Sequence, residues 1–134
     1  MAIEFDRSII GSEFDRTVLD PVTPEEIAEY IEVSGEPSRD AGVAPPTFVV
    51  RLRGRRFMPS NMPNLGRSGF DAGNDIEFGV PIRAGDVLTS ISTVHDIYEK
   101  TGRTGSMAFI VLRTVLTNQR AEQVAVIDQK MMFR

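Results

Sequence analysis

Apolar positions recur along the chain with two different periods. Near the N-terminus Ile27, Tyr30 and Ile31 follow helical spacing, so one face of a helix buries. Thr23-Pro24-Glu25-Glu26 supplies its start, with Thr as N-cap, Pro at the first helical position and Glu at the capping-box position. Gly35 and Pro37 stop it. From Val87 onward the period is two. Val87 to Glu99, Met107 to Thr117 and Gln123 to Phe133 read as long strands, and in the last of them Ala125, Ile127, Met131 and Phe133 share one face. Ile76-Glu77-Phe78 is a short strand ahead of them. Turns at Ala84-Gly85-Asp86, Lys100 to Gly105 and Asn118 to Glu122 close the connections, which predicts an antiparallel meander.

Between these halves the local rules conflict. Glu36 to Ala44 reads as a loop, and Pro45-Pro46-Thr47-Phe48 then leads into Val49, Val50 and Leu52. Proline at a helix start is favourable, whereas paired β-branched residues suit a strand. A curled sheet needs an element to cover its buried face, and that requirement favours a helix over Thr47 to Arg53. Gly54 to Gly73 is rich in Gly, Pro, Asn and Met and reads as a long irregular excursion of the kind often tied to function. A helix in front, strands behind and a helix under the sheet give an α+β domain in the hot-dog arrangement, one domain over residues 1–134.

Composition narrows the function classes. The 134 residues suffice for a sizeable core. A net charge of −4 argues against general nucleic-acid binding. The chain has no cysteine, so neither a disulfide framework nor a thiolate metal site is expected, and no metal or other cofactor is anticipated. No stretch approaches the ~20 apolar residues of a membrane span, and a cytoplasmic location is the default expectation. Arginine far outnumbers lysine, of which Lys100 and Lys130 are the sole examples; that bias is read as genome composition.

Several segments, in order, carry a resemblance. They are Ala44-Pro45-Pro46-Thr47-Phe48, Val80-Pro81-Ile82-Arg83-Ala84-Gly85-Asp86, Val94-His95-Asp96-Ile97-Tyr98-Glu99-Lys100-Thr101-Gly102 with Gly105, and Thr117-Asn118-Gln119. Together they resemble the N-terminal-half, non-catalytic type of MaoC-like dehydratase/enoyl-CoA hydratase. Ala121 departs from the pattern, standing where a glycine is frequent.

The resemblance implies a hot-dog domain that works in pairs on an acyl thioester. Catalytic members carry a motif like G-D-x-N-P-[LIV]-H, whose Asp and His hold water or hydroxyl and move its protons, while a helix N-terminus steadies the enolate oxygen. Here Gly35-Glu36 stands in the "G-D" place, but no histidine follows, and the sole histidine, His95, lies far along the chain. Pro45 and Pro46 also remove backbone N–H donors where an oxyanion hole would form. No catalytic residue stands out, and Glu36, Asp40 and His95 are the residual candidates. Each has a plainer account: solvated loop carboxylates for the first two, an exposed or hydrogen-bonded strand histidine for the third.

Two further groups are candidates for binding. Arg51, Arg53, Arg55 and Arg56 would grip the phosphates of coenzyme A or of a phosphopantetheine arm. The favoured alternative is a solvated helix end whose dipole welcomes cations. Phe57, Met58, Met62 and Leu65 would line an acyl tunnel, or else pack over the sheet as satellite core. The Arg83-Ala84-Gly85-Asp86 turn reads as structural.

The resulting expectation is a non-catalytic subunit of a heteromeric (R)-type enoyl-CoA hydratase or 3-hydroxyacyl-thioester dehydratase. A second MaoC-like hot-dog subunit would supply Asp and His in a heterodimer or heterotetramer, and the substrate would be an acyl-CoA or an acyl-carrier-protein thioester. Two alternatives stand beside it: a self-sufficient thioesterase using Glu36 or Asp40, and a non-enzymatic homo-oligomer that binds acyl thioesters.

Overall fold

Thr23 caps the first helix as its sequence requires: its hydroxyl accepts the Glu26 N–H at 3.1 Å. Pro24 opens helix α1 (Pro24–Ser34), and Gly35 ends it in the left-handed region at φ 74°, its N–H returning to the Ile31 carbonyl. The computed structural model describes residues 4–38, 40, 42–66, 68–103 and 105–134. Around α1 it places strands β1 (Glu13–Val18), β2 (Gly69–Phe78), β3 (Thr89–Gly102), β4 (Gly105–Thr117) and β5 (Gln123–Phe133). A 3-10 turn precedes β1 at Arg7–Ile9, and a 3-10 helix, Pro46–Arg51, precedes β2.

The strands form one antiparallel five-stranded sheet in the order β1-β3-β4-β5-β2. It curls around the Pro46–Arg51 segment, whose Phe48 and Val49 are fully buried. The hot-dog arrangement expected from the sequence is therefore present.

The interior differs in three respects from expectation. The central segment is a single stretch of 3-10 helix ending at Arg51, not a helix to Arg53. The β-branched Val49 and Val50 and the short run favour this tighter form. β1 was not foreseen, and β2 begins at Gly69, inside the stretch expected to be irregular. Finally, β3, β4 and β5 form a meander, but β2 pairs with β5 rather than β3. The edge of β3 that a full meander would give to β2 is taken by β1. That pairing is prolonged on both sides by Gly11 N–H to Val94 O and Leu19 N–H to Leu88 O.

Two apolar clusters fill the concave side. One joins Val22 and Ile27 to Phe48, Leu88, Leu116 and Ala125. The other joins Ile9, Leu65, Val94, Ile97, Ile110 and Leu112. Removing Phe48 beyond its Cβ would cost about 3–5 kcal/mol, as for other fully buried aromatics. Between the clusters the concave face turns polar: Asp15, Ser92 and Thr114 stand side by side across β1, β3 and β4, next to Gln129 and Asn74 across β5 and β2. The Arg83–Asp86 turn is structural, as read from the sequence. The buried Asp86 carboxylate accepts the Arg83 N–H at 2.8 Å and the Gln119 amide at 2.9 Å, tying two turns together.

Candidate functional site

The Glu36–Ala44 loop folds back on the β2–β3 connection through Ala44 N–H to Ile82 O and Ala84 N–H to Gly42 O. That closure leaves a cavity of about 480 Å³ at the N-terminal end of the central 3-10 helix. Pro45, Pro46 and Val49 form one wall, and Phe78, Val80 and Ile82 the other. The proline pair offers no N–H donors to a developing oxyanion. Asp40, exposed at the rim, is the titratable residue among the described residues lining it. Phe78 is 50% exposed at the end of β2, a strand whose second edge pairs with none of the described residues.

A second cavity, of about 150 Å³, lies on the concave face between the two apolar clusters. Phe14, Leu52, Leu112 and Ile127 give it apolar walls, and Ser92, Thr114, Gln129 and Asn74 supply polar ones. The Ser92 and Thr114 hydroxyls meet at 2.9 Å. Arg53 and Arg56, both exposed, stand at its mouth. The chain is held there by the polar side chains of β1: the Asp15 carboxylate accepts the Arg56 N–H and the Thr17 hydroxyl accepts the Arg55 N–H, each at 3.2 Å. This is why β1 buries Asp15 and Thr17 and turns Arg16 and Val18 outward.

The three residual catalytic candidates do not converge. Thr47 donates its hydroxyl to the Glu36 carboxylate, and the Tyr30 hydroxyl lies 2.6 Å from the same Thr47 oxygen. Glu36 is thus a half-buried anchor of the central helix. Asp40 faces the larger cavity. His95 is exposed at a bulge in β3, where its charge helps hold the Asp128 carboxyl of β5 below the ordinary range. Hydrogen bonds from Arg113, at 2.7 and 2.8 Å, are the principal cause of that lowering. Asp128 lies on the convex face, since its strand neighbours Ile127 and Gln129 line the concave cavity. His95 therefore works on the side of the sheet away from that cavity.

The binding candidates divide. Arg53 and Arg56 reach the smaller cavity, while Arg51 lies over the Phe48 ring at 5.2 Å and Arg55 lines neither space. Phe57 lines the smaller cavity, with the Arg53 guanidinium 5.5 Å from its ring centre. Met58, Met62 and Leu65 line neither cavity and pack into the second apolar cluster, the satellite-core alternative. Ser92, Thr114, Gln129 and Asn74 were not singled out from the sequence. The available signal was a break in period two: Gln129 interrupts Ile127 and Met131, and Thr114 interrupts Leu112 and Leu116.

Among the described residues no cluster of His, Asp and Glu is arranged to hold a metal ion. No described helix is long and apolar enough to cross a membrane.

Comparison with known proteins supplies the remaining findings. The model of the family described as FAS1-like, dehydratase domain region, matches residues 8–127. No curated protein is significantly similar in sequence. Among solved structures, the ChsH1-ChsH2 complex from Mycobacterium tuberculosis is similar at 17% identity and TM-score 0.68, over 90% of this chain and 83% of that one. A MaoC-like dehydratase from Rhodospirillum rubrum is similar at 23% identity and TM-score 0.65, over 92% and 91% of the two chains. The HadBC (3R-hydroxyacyl-ACP dehydratase) complex from M. tuberculosis is similar at 20% identity and TM-score 0.59, over 90% and 98%. At these identities the likeness establishes a shared fold.

Proposed function

The chain belongs to the FAS1-like dehydratase-region family, and from that premise we propose that it is the non-catalytic subunit of a heteromeric (R)-type enoyl-thioester hydratase or 3-hydroxyacyl-thioester dehydratase. The observation that carries this reading is the separation of its acid/base candidates. Glu36 is tied to Thr47, and the sole histidine stands on the convex side of the sheet.

A second hot-dog subunit supplies the Asp and His. In the hydration direction, the partner's base takes a proton from water as its oxygen bonds to the β-carbon, and the α-carbon receives a proton. In dehydration the same atoms move in reverse. This chain contributes binding space and an edge. The open side of β2 presents unpaired backbone groups that suit continuation of the sheet into another subunit. The larger cavity ends beside Phe78 on that edge, so a subunit placed there would complete its wall. Two structures that share the fold are complexes of paired subunits by description, ChsH1-ChsH2 and HadBC, which agrees with a partnered role.

The test is hydration of trans-2-enoyl-CoA probes by the purified chain, alone and mixed with a hot-dog protein carrying G-D-x-N-P-x-H. Turnover only in the mixture is expected. Turnover at an enzyme-like rate by the chain alone would overturn the reading. A lone-carboxylate thioesterase is the second reading, favoured by Asp40 at the larger cavity. It requires hydrolysis by the chain alone that Asp40→Ala abolishes.

A further inference from the structure

The concave face of such a sheet is the side that packs on the central helix, and an apolar surface is expected throughout. Four polar side chains nevertheless line the 150 Å³ cavity there: Ser92, Thr114, Gln129 and Asn74. Gln129 and Asn74 are direct partners across β5 and β2, so their amides sit side by side. Neither amide has a hydrogen-bond partner among the described residues. Ser92 and Thr114 bond each other; one hydroxyl proton of that pair is used and the other is free. Asn74 is exposed and Gln129 half-buried, so water reaches their amides; a guest that displaces this water must meet them itself or carry their desolvation cost. The position is also costly for packing, because it splits one core into two clusters.

Size restricts what enters. A cavity of this volume admits roughly a benzene-sized guest. It is too small for a long saturated chain or a fused-ring nucleus.

We propose that this cavity receives the far end of the acyl group, and that this end is compact and carries a hydroxyl or keto oxygen. The Gln129 and Asn74 amides suit either, since each donates through NH₂ and accepts through its carbonyl. The proposal rests on the thioester-binding reading above.

Two probe pairs separate the proposal from that reading. Phenol and toluene are nearly isosteric and carry no thioester, and their binding is followed through the Leu112 and Ile127 methyl resonances of the full chain. The oxygen-selecting cavity favours phenol by about fivefold, the scale of one net hydrogen bond. Gln129→Leu is expected to reverse the order; Asn74→Leu, on an exposed edge strand, is the second variant should the first fail to fold. The other pair is 5-oxohexanoyl-CoA against hexanoyl-CoA, titrated into the chain alone and with its hot-dog partner. Preference for the oxygenated member of both pairs supports the proposal. Toluene binding as well as phenol overturns it, while leaving the thioester reading intact if either CoA ester binds. A phenol preference with no binding of either ester, alone or with partner, overturns the thioester reading and with it the assignment of the cavity to an acyl group.

Discussion

The hydroxyl of Thr47 is hydrogen-bonded to the carboxylate of Glu36. This contact joins the residue standing in the "G-D" place to the first turn of the central 3-10 helix. Tyr30 of α1 completes the chain by donating to Thr47 at 2.6 Å, while its ring meets Phe48 edge-on at 5.4 Å. The arrangement positions elements, and Glu36 itself lines neither cavity. Thr47→Val is expected to lower stability by about 1 kcal/mol in urea melts. Glu36→Ala is expected to do the same and to leave thioester hydrolysis at its background rate. A loss of hydrolysis without a loss of stability would return Glu36 to the catalytic candidates.

Gly54 and Asp15 are coupled by space. A Cβ on Gly54 would lie 1.9 Å from Asp15 Oδ2. That carboxylate cannot easily yield, since it holds the Thr17 hydroxyl at 2.9 Å and the Arg56 N–H at 3.2 Å. Asp15→Ala should destabilise by about 1–3 kcal/mol through the orphaned N–H and hydroxyl. Gly54→Ala should cost at least as much. The double variant should be clearly less destabilised than the sum, because Asp15→Ala vacates the space the new methyl needs. Additive losses would mean that the loop relaxes around the methyl by another route.

These polar anchors also explain why β1 escaped a reading by pattern. In Glu13–Val18 the buried positions are Asp15 and Thr17, and the exposed ones include Arg16 and Val18. Alternation is present but inverted, because the inward face is used to hold the backbone at Arg55 and Arg56. In β2 the sequence marks Ile76-Glu77-Phe78, but Gly69 to Asp75 escaped for a different reason. The strand is exposed along nearly its whole length, with a bulge between Asp71 and Asn74 and Gly73 at φ 112°. Its strand form comes from pairing with β5, a long-range contact that local composition does not record. α1 and β5, by contrast, carry their cap and their period in adjacent residues, and both appear where the sequence places them. The cavity's polar lining was visible as interruptions at Thr114 and Gln129, but a single polar residue in a strand acquires meaning only once its cross-strand neighbours are known. The absence of a G-D-x-N-P-x-H run was legible directly, being a statement about residues and not about their arrangement.

Arg113 and Asp128 oppose each other across β4 and β5 and pair through two hydrogen bonds. Those bonds, aided by the charges of Arg113 and His95 and opposed by burial, hold the Asp128 carboxyl below 3.8. In the unfolded chain the carboxyl regains its ordinary value, so the folded state binds the proton less tightly. The contribution is therefore complete above the unfolded pKa and is lost as pH falls through the depressed folded one. With both side chains partly exposed, the pair is worth about 0.5–1 kcal/mol. Asp128→Asn should be less stable than the parent by that amount at about pH 7, and the gap should close as acid protonates the folded carboxyl. An unchanged gap in acid would assign the loss to packing.

Phe78 connects the free edge of β2 to the larger cavity, and half of it is exposed. An exposed position of this kind contributes little to the folding of the isolated chain, so Phe78→Lys should shift its stability by no more than about 0.5 kcal/mol. At an interface the same change would place an ammonium in an apolar contact, where it lacks a counter-charge. Co-elution with the hot-dog partner and hydration by the mixture should therefore be lost together while the melting curve of the lone chain is retained. If co-elution persists and only hydration is lost, Phe78 acts on the substrate within the cavity. If both persist, the partner does not sit on the β2 edge, and the exposed strand is guarded by another part of the assembly.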